Sequence, residues 1–175
     1  MIVISNHVKS IGMSYPENSV IRINTAWINS IDELEKILDS LKGHRIWLDY
    51  PTGRTKPPLP KFKMEEIIQF AKTHLIEYFA FSNAEDSEFI KSIRESIPEL
   101  VKLVPKIETK RGVENIKDIL DSAKTDMIML DKEDLYLDVS GNQEEFQNLI
   151  SICREKCEEF NVTCLELKGV VFGHN

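Results

Sequence analysis

The sequence predicts an α/β protein, built as a reduced or incomplete TIM-type barrel of about seven parallel strands. Short β-branched runs alternate with amphipathic helical stretches, and strands separated by helices pair in parallel through right-handed crossovers. Polar residues follow the apolar centres of the strands, as they do at the C-terminal mouth of a barrel. The chain has 175 residues, whereas a complete eight-unit barrel needs about 200 or more. An open doubly wound sheet is the alternative arrangement.

Seven short apolar runs, rich in β-branched or aromatic residues, predict the strands. In chain order they cover residues 2–5, 20–24, 46–50, 78–82, 103–108, 127–131 and 162–165.

Five stretches with apolar residues at helical spacing predict the intervening helices. They cover residues 31–41, 64–75, 89–97, 113–120 and 146–160. Ser30 followed by Glu33 is a capping-box pattern, and Asn142 followed by Glu145 is a weaker form of it. A proline-rich segment, residues 49–61, predicts a long loop after the third strand that overhangs the mouth.

Length and composition predict one soluble domain over residues 1–175. The net charge of −7 argues against nucleic acid as a partner, since such domains usually carry a basic face. We also expect no membrane association and a cytoplasmic location, because no apolar run is long enough to cross a bilayer. Three cysteines, Cys153, Cys157 and Cys164, are expected to be reduced core thiols. A soft-metal site is the alternative, although no histidine or fourth cysteine completes a tetrahedral set at a familiar spacing.

Charged residues at the strand ends are the candidates for chemistry. Lys106 and Glu108 are two residues apart in one strand, so their side chains share a face. Asp134 follows the next parallel strand, and its carboxylate converges on that of Glu108. Such a pair suits Mg²⁺ or Mn²⁺, because hard cations prefer oxygen ligands.

Arg22 and Asn24 share a face of the second strand, and an arginine there offers two parallel donors to a carboxylate or phosphate. The competing interpretation of all these residues is that they form ordinary salt bridges and helix caps at strand ends.

Two segments carry a resemblance to known proteins. One is residues 104–116, which contain Lys106-Ile107-Glu108, and the other is residues 126–135, which contain Glu133-Asp134-Leu135. Together they resemble the catalytic core of pyruvate kinase and, more widely, the phosphoenolpyruvate/pyruvate barrel superfamily. That superfamily includes the citrate lyase β subunit and the 4-hydroxy-2-oxo-acid aldolases. The resemblance extends over roughly residues 18–140.

The resemblance implies roles for individual residues. Glu108 and Asp134 would be the metal ligands. Lys106 would match the lysine that stabilises a transferring phosphoryl group, and Arg22 and Asn24 would match residues on the substrate and cation sides. The resemblance therefore implies Lys106 and Arg22 as catalytic residues.

The sequence also departs from the pyruvate kinase pattern. Lys132 and Glu133 stand where that family has Arg-Gly beside the substrate, which implies that they bind substrate here, and Glu133-Asp134-Leu135 is closer to the citrate lyase pattern. The proline-rich segment is too short to be the nucleotide-covering domain of pyruvate kinase. Glu166 is nearest to the position of a threonine that lies close to the substrate in that family.

The resulting prediction is a divalent-metal-dependent enzyme that acts on a pyruvate-like 2-oxo acid through an enolate, as a carbon–carbon lyase or aldolase. One alternative is pyruvate-kinase-like phosphoryl transfer on a phosphoenolpyruvate-like ligand. Another is a non-catalytic descendant that binds a ligand or partner. The missing eighth strand leaves unpaired edges, which predicts a homodimer, unless the tail at residues 166–175 closes the gap.

Overall fold

The structure, a computed structural model, describes residues 3–6, 15–17, 19–55 and 57–166. Seven strands form one sheet in chain order, and all neighbouring strands are parallel. They are β1 (Val3–Asn6), β2 (Val20–Asn24), β3 (Arg45–Tyr50), β4 (Tyr78–Phe81), β5 (Lys102–Ile107), β6 (Met127–Leu130) and β7 (Thr163–Glu166). Each strand boundary lies within one residue of its predicted position. The predicted α/β class and strand number are confirmed.

Seven α-helices are described, and they follow β2 to β6 along the chain. They are α1 (Ile31–Ser40), α2 (Met64–Thr73), α3 (Ser87–Ser96), α4 (Lys110–Glu114), α5 (Ile116–Ala123), α6 (Lys132–Asp138) and α7 (Gln143–Glu159). None of these helices combines the length and apolar character that crossing a bilayer requires.

Two side-chain caps predicted from the sequence are present. The Ser30 side chain accepts a hydrogen bond from the Glu33 amide at 3.1 Å, and Glu33 in turn accepts one from the Asn29 amide at 2.7 Å. At the start of α7, Asn142 accepts from the Glu145 amide at 3.2 Å. Both caps satisfy amides that lack an intrahelical partner, and they fix where these helices begin.

The helical region between β5 and β6 and the one after β6 differ from the prediction. The first is two short helices that meet at Asn115, whose side chain donates a hydrogen bond to the Glu85 carbonyl at 2.8 Å. The second, α6, was not predicted. It spans two turns and buries only Leu135, so it leaves no apolar repeat in the sequence.

The two faces of the sheet are buried in different ways, and this distinguishes the barrel from a flat sheet. One face packs against the helices. The other face is a separate buried cluster made only of strand side chains. Its members are Val20, Trp47, Tyr78, Ala80, Val104, Met127 and Met129, with Leu165 packed against them. A doubly wound sheet carries helices on both faces, whereas strand side chains alone fill the interior of a TIM-type barrel.

The barrel is incomplete. Within the described part of the chain, no strand pairs with the outer edge of β1 or of β7. Nearly all of the tail predicted as an alternative closure, residues 167–175, lies outside the described residues.

Gly112 in α4 provides a test of the packing between neighbouring βα units. A Cβ atom at this position would lie 2.8 Å from the backbone oxygen of Ala84, which cannot move independently of its loop. We expect Gly112→Ala to lower the free energy of unfolding by about 1–3 kcal/mol, although alanine is the better helix former by about 1 kcal/mol. Urea denaturation measures the change, and Ser151→Ala on the exposed face of α7 is the control. A Gly112→Ala variant as stable as the parent would contradict this packing.

Candidate metal centre at the barrel mouth

Three carboxylates converge at the mouth of the barrel. Glu108 follows β5, and Asp131 and Asp134 follow β6. One oxygen from each lies within 4.8 Å of the others, a grouping that can hold a metal ion. The structure therefore brings together Glu108 and Asp134, the two predicted ligands. It adds Asp131, which was not among the predicted ligands.

Asp131 has a second role, which explains why its place in the site was not predicted. Its side chain caps α6 by accepting a hydrogen bond from the Asp134 amide at 3.4 Å. An aspartate three residues before another acid, at a helix start, is typical of a cap in sequence. Helix α6, which was not predicted, brings the carboxylates of Asp131 and Asp134 close to that of Glu108.

Glu108 is held in a buried, fixed position. One of its oxygens lies 2.6 Å from the Lys106 ammonium, and the other accepts a hydrogen bond from the Asn83 amide at 2.8 Å. Burial raises the pKa of Glu108, and the negative charge of Asp131 raises it further, while Lys106 and the Asn83 amide act in the opposite direction. A cation placed among the three carboxylates would favour the ionised form.

Asn83 adopts a backbone conformation that few residues tolerate. Its φ of 52° lies in the left-handed region, which asparagine adopts more readily than most residues. This conformation directs the Asn83 amide at Glu108, and the side chain donates a hydrogen bond to the Thr52 carbonyl at 2.7 Å. Asn83 thus joins the Glu108 carboxylate to the loop after β3.

Lys106 lies beneath the carboxylates and is almost wholly buried. Besides its contact with Glu108, its ammonium donates to the Ser82 hydroxyl at 3.0 Å and lies 3.9 Å from Asp49. Arg22 reaches Asp49 from β2: its Nε donates at 2.8 Å, and its Nη2 forms a second contact with the same oxygen. Asp49 is fully buried, and it links the two predicted catalytic cations.

The charges of this group leave an excess of negative charge. Four carboxylates and two cations meet here: Asp49, Glu108, Asp131 and Asp134, with Arg22 and Lys106. With every group ionised, the formal charge is two negative, which a divalent cation would neutralise. The oxygen-only donor set also fits Mg²⁺ or Mn²⁺.

A cavity of about 350 Å³ opens beside these carboxylates. Its lining includes Ser82, Glu108 and Asp134 together with residues 51–55 of the proline-rich loop. The prediction that this loop overhangs the mouth is confirmed. The cavity is large enough for a small organic acid together with water molecules on the cation.

The remaining predicted site residues lie around this centre. Asn24 stands at the mouth beside Asp49 in register, and its side chain accepts a hydrogen bond from the Ala26 amide at 3.0 Å. Glu133 is exposed in the first turn of α6. Lys132 forms an ion pair with Glu166 at 3.0 Å. No contact described for Lys132 or Glu133 joins the three carboxylates, so their substrate-binding role stays a prediction.

Glu166 faces the helices rather than the interior of the barrel. It pairs in register with Leu130, a member of the helix-facing core, and residues paired across strands lie on the same face. Its carboxylate accepts hydrogen bonds from Arg154 of α7 at 2.6 and 2.8 Å. Its place near the substrate, suggested by the resemblance, is therefore wrong.

The Glu166 ion pairs predict a pH-dependent contribution to stability. The hydrogen bonds from Arg154 hold the pKa of Glu166 at about 2, below its ordinary value of 4.5. A lowered pKa stabilises the fold above pH 4.5, and this stabilisation disappears as the pH falls toward 2. We expect Glu166→Gln to cost about 1 kcal/mol at pH 7 and progressively less below pH 4.5. Urea denaturation at pH 7 and pH 3 tests this, with exposed Glu155→Gln as the control, and an equal cost at both pH values would contradict it.

Comparison with known proteins agrees with this description. Residues 60–172 match the family model described as HpcH/HpaI aldolase/citrate lyase. No curated protein sequence matches the chain.

Among solved structures, a family protein of the same description from Burkholderia cenocepacia is similar, with a TM-score of 0.64 and 11% identity. The match covers 84% of this chain and 70% of that one. RipC from Yersinia pestis is similar with a TM-score of 0.62 and 14% identity, over 84% of this chain and 68% of its own. At these identities the likeness shows a shared fold.

Proposed function

The chain belongs to the HpcH/HpaI aldolase/citrate lyase family, and from this premise we propose that it is a divalent-metal-dependent carbon–carbon lyase acting on a pyruvate-like 2-oxo acid. Membership supports lyase or aldolase activity in general, and it gives no support to pyruvate-kinase-like phosphoryl transfer. The observation that carries the finer proposal is the convergence of Glu108, Asp131 and Asp134 within 4.8 Å of one another, directly above a buried lysine.

The residues present fit a divalent cation. Family members are generally divalent-metal dependent, and Glu108, Asp131 and Asp134 would hold Mg²⁺ or Mn²⁺ through carboxylate oxygens. Bound there, the cation supplies Lewis-acid polarisation of a carbonyl oxygen. Asp134 is exposed, so a cation that keeps part of its water shell can enter from solvent.

The buried cations supply the complementary charge. When the C3–C4 bond of a 2-oxo acid with a hydroxyl on C4 breaks, its electron pair forms the C2=C3 bond of an enolate and the negative charge rests on the 2-oxo oxygen. The C4 hydroxyl loses its proton to solvent and becomes the carbonyl of the departing fragment, and the enolate then takes up a proton at C3. Lys106 lies next to Glu108 and Ser82, which both line the cavity, so its positive charge is fixed on the side where the oxyanion develops. Arg22, held by Asp49, adds a second positive charge from β2.

The proposal is tested by proton exchange at the methyl group of pyruvate. We expect the protein with Mg²⁺ to exchange these protons with D₂O, as followed by NMR, because exchange requires only the enolate. Lys106→Met should lower the exchange rate by about 100-fold or more while circular dichroism shows an intact fold. Lys102→Met is the matched control: this lysine lies on the same strand, but it is exposed and forms an ion pair with Asp126.

Two results would contradict the proposal. Exchange that persists in Lys106→Met would remove the lysine from the mechanism. Saturable binding of pyruvate with no exchange at all would indicate the non-catalytic descendant instead.

We also propose that the protein is a homodimer. The outer edges of β1 and β7 have no partner strand among the described residues, and unpaired edges favour association with another chain. We expect sedimentation at micromolar concentration to give twice the chain mass of 20.2 kDa. A monomer at that concentration would contradict the dimer.

A further inference from the structure

Three thiols meet on the side of the sheet opposite to the barrel interior. Cys153 and Cys157 lie one turn apart on α7, and Cys164 lies on β7 in register with Ile128 of the helix-facing core. The three sulfur atoms lie within 4.8 Å of one another. Because Cys164 packs against the helices and the carboxylates project into the mouth, the thiols form a group separate from the proposed active site.

We propose that these cysteines form a three-thiolate site for a soft monovalent cation, Cu(I). At a metal–sulfur distance of about 2.3 Å, three sulfurs around a trigonal ion stand about 4.0 Å apart. The observed sulfurs reach that geometry with movements below about 1 Å. Thiolate ligands select soft cations such as Cu(I) over hard ones.

The ligand number distinguishes Cu(I) from zinc. Structural zinc sites almost always have four protein ligands, whereas the group formed by the described residues contains three cysteines and no histidine or carboxylate. A three-sulfur set suits Cu(I), a soft ion that three thiolate ligands satisfy.

Access from solvent also suits a cation. Cys153 and Cys157 are fully buried, whereas Cys164 is partly exposed and provides the entry. Binding of Cu(I) displaces the thiol protons to solvent and involves no oxidation or reduction.

The simpler interpretation is that these are reduced core thiols. The two interpretations predict different amounts of Cu(I) bound per chain, which can be measured directly. We expect anaerobic titration of the chain against the Cu(I) chelator bicinchoninate to give one Cu(I) per chain. X-ray absorption of that complex should give three sulfur neighbours, a readout that needs no variant.

Variants assign the ligands. Cys164→Ser should weaken Cu(I) binding by more than about 100-fold, because losing a side chain that only hydrogen-bonds to a metal ligand already costs about 10- to 100-fold. Ser151→Ala, on the same helix, and Glu108→Gln, at the mouth, should bind Cu(I) as the parent does. Failure to compete with bicinchoninate, two sulfur neighbours instead of three, or unchanged affinity in Cys164→Ser would each overturn the proposal.

Discussion

We expect the Glu108→Gln and Asp134→Asn variants to lose divalent-metal binding while the protein stays folded. Each change replaces a charged oxygen ligand by a neutral amide of the same size. The excess negative charge of the mouth then falls, and the hard cation loses one of its three carboxylates. Calorimetric titration with Mn²⁺ or Mg²⁺ measures the loss, and circular dichroism checks the fold.

Two further variants separate the metal site from its surroundings. Asp131→Asn keeps the cap of α6, because asparagine is an equally good N-cap residue, but it removes a charged ligand; we expect weaker metal binding with little change in stability. Glu144→Gln changes an exposed acid in the first turn of α7 and should bind the metal normally. Unchanged affinity in both Glu108→Gln and Asp134→Asn would exclude the site.

The strands and the paired carboxylates were predictable because both depend on local sequence. Alternation of strand and helix patterns indicates a parallel sheet, and the polar residues at the strand ends favoured the barrel over the open sheet. Within one strand, residues two apart share a face, which placed Lys106 beside Glu108. Asp134 was predictable because it follows the next strand, and neighbouring parallel strands end at the same edge.

Asp49 and Asn83 show where this reasoning stops. The prediction put Asp49 at a strand end, but its role as partner of Arg22 and neighbour of Lys106 depends on the register of the four strands from β2 to β5. Register across a sheet is set by tertiary packing and not by either strand alone. The amide of Asn83 reaches Glu108 only because the backbone at Asn83 is in the left-handed conformation. A single asparagine in a loop does not predict that conformation.

The central position of Asp49 predicts the largest loss of stability in the molecule. This carboxylate is fully buried between Arg22 and Lys106, whose side chains are 11% and 6% exposed. Asp49→Ala leaves both cations buried and removes the carboxylate they share, and breaking a buried ion pair from one side costs about 3–5 kcal/mol. We expect that loss in the free energy of urea unfolding. Asp39→Ala, which removes an exposed partner of Lys42, should leave stability unchanged within error.

A second substitution distinguishes the cost of unpaired charge from the cost of a cavity. In the Asp49→Ala background, Arg22→Met removes one unpaired buried cation, so part of the lost stability should return. A cavity alone predicts no such recovery, because methionine is no larger than arginine and does not refill the space of the deleted carboxylate. Two results would contradict the stabilising role of this buried charge network. One is a loss below about 1 kcal/mol in Asp49→Ala. The other is an effect of Arg22→Met on the free energy of unfolding that is as unfavourable in the Asp49→Ala background as it is in the parent.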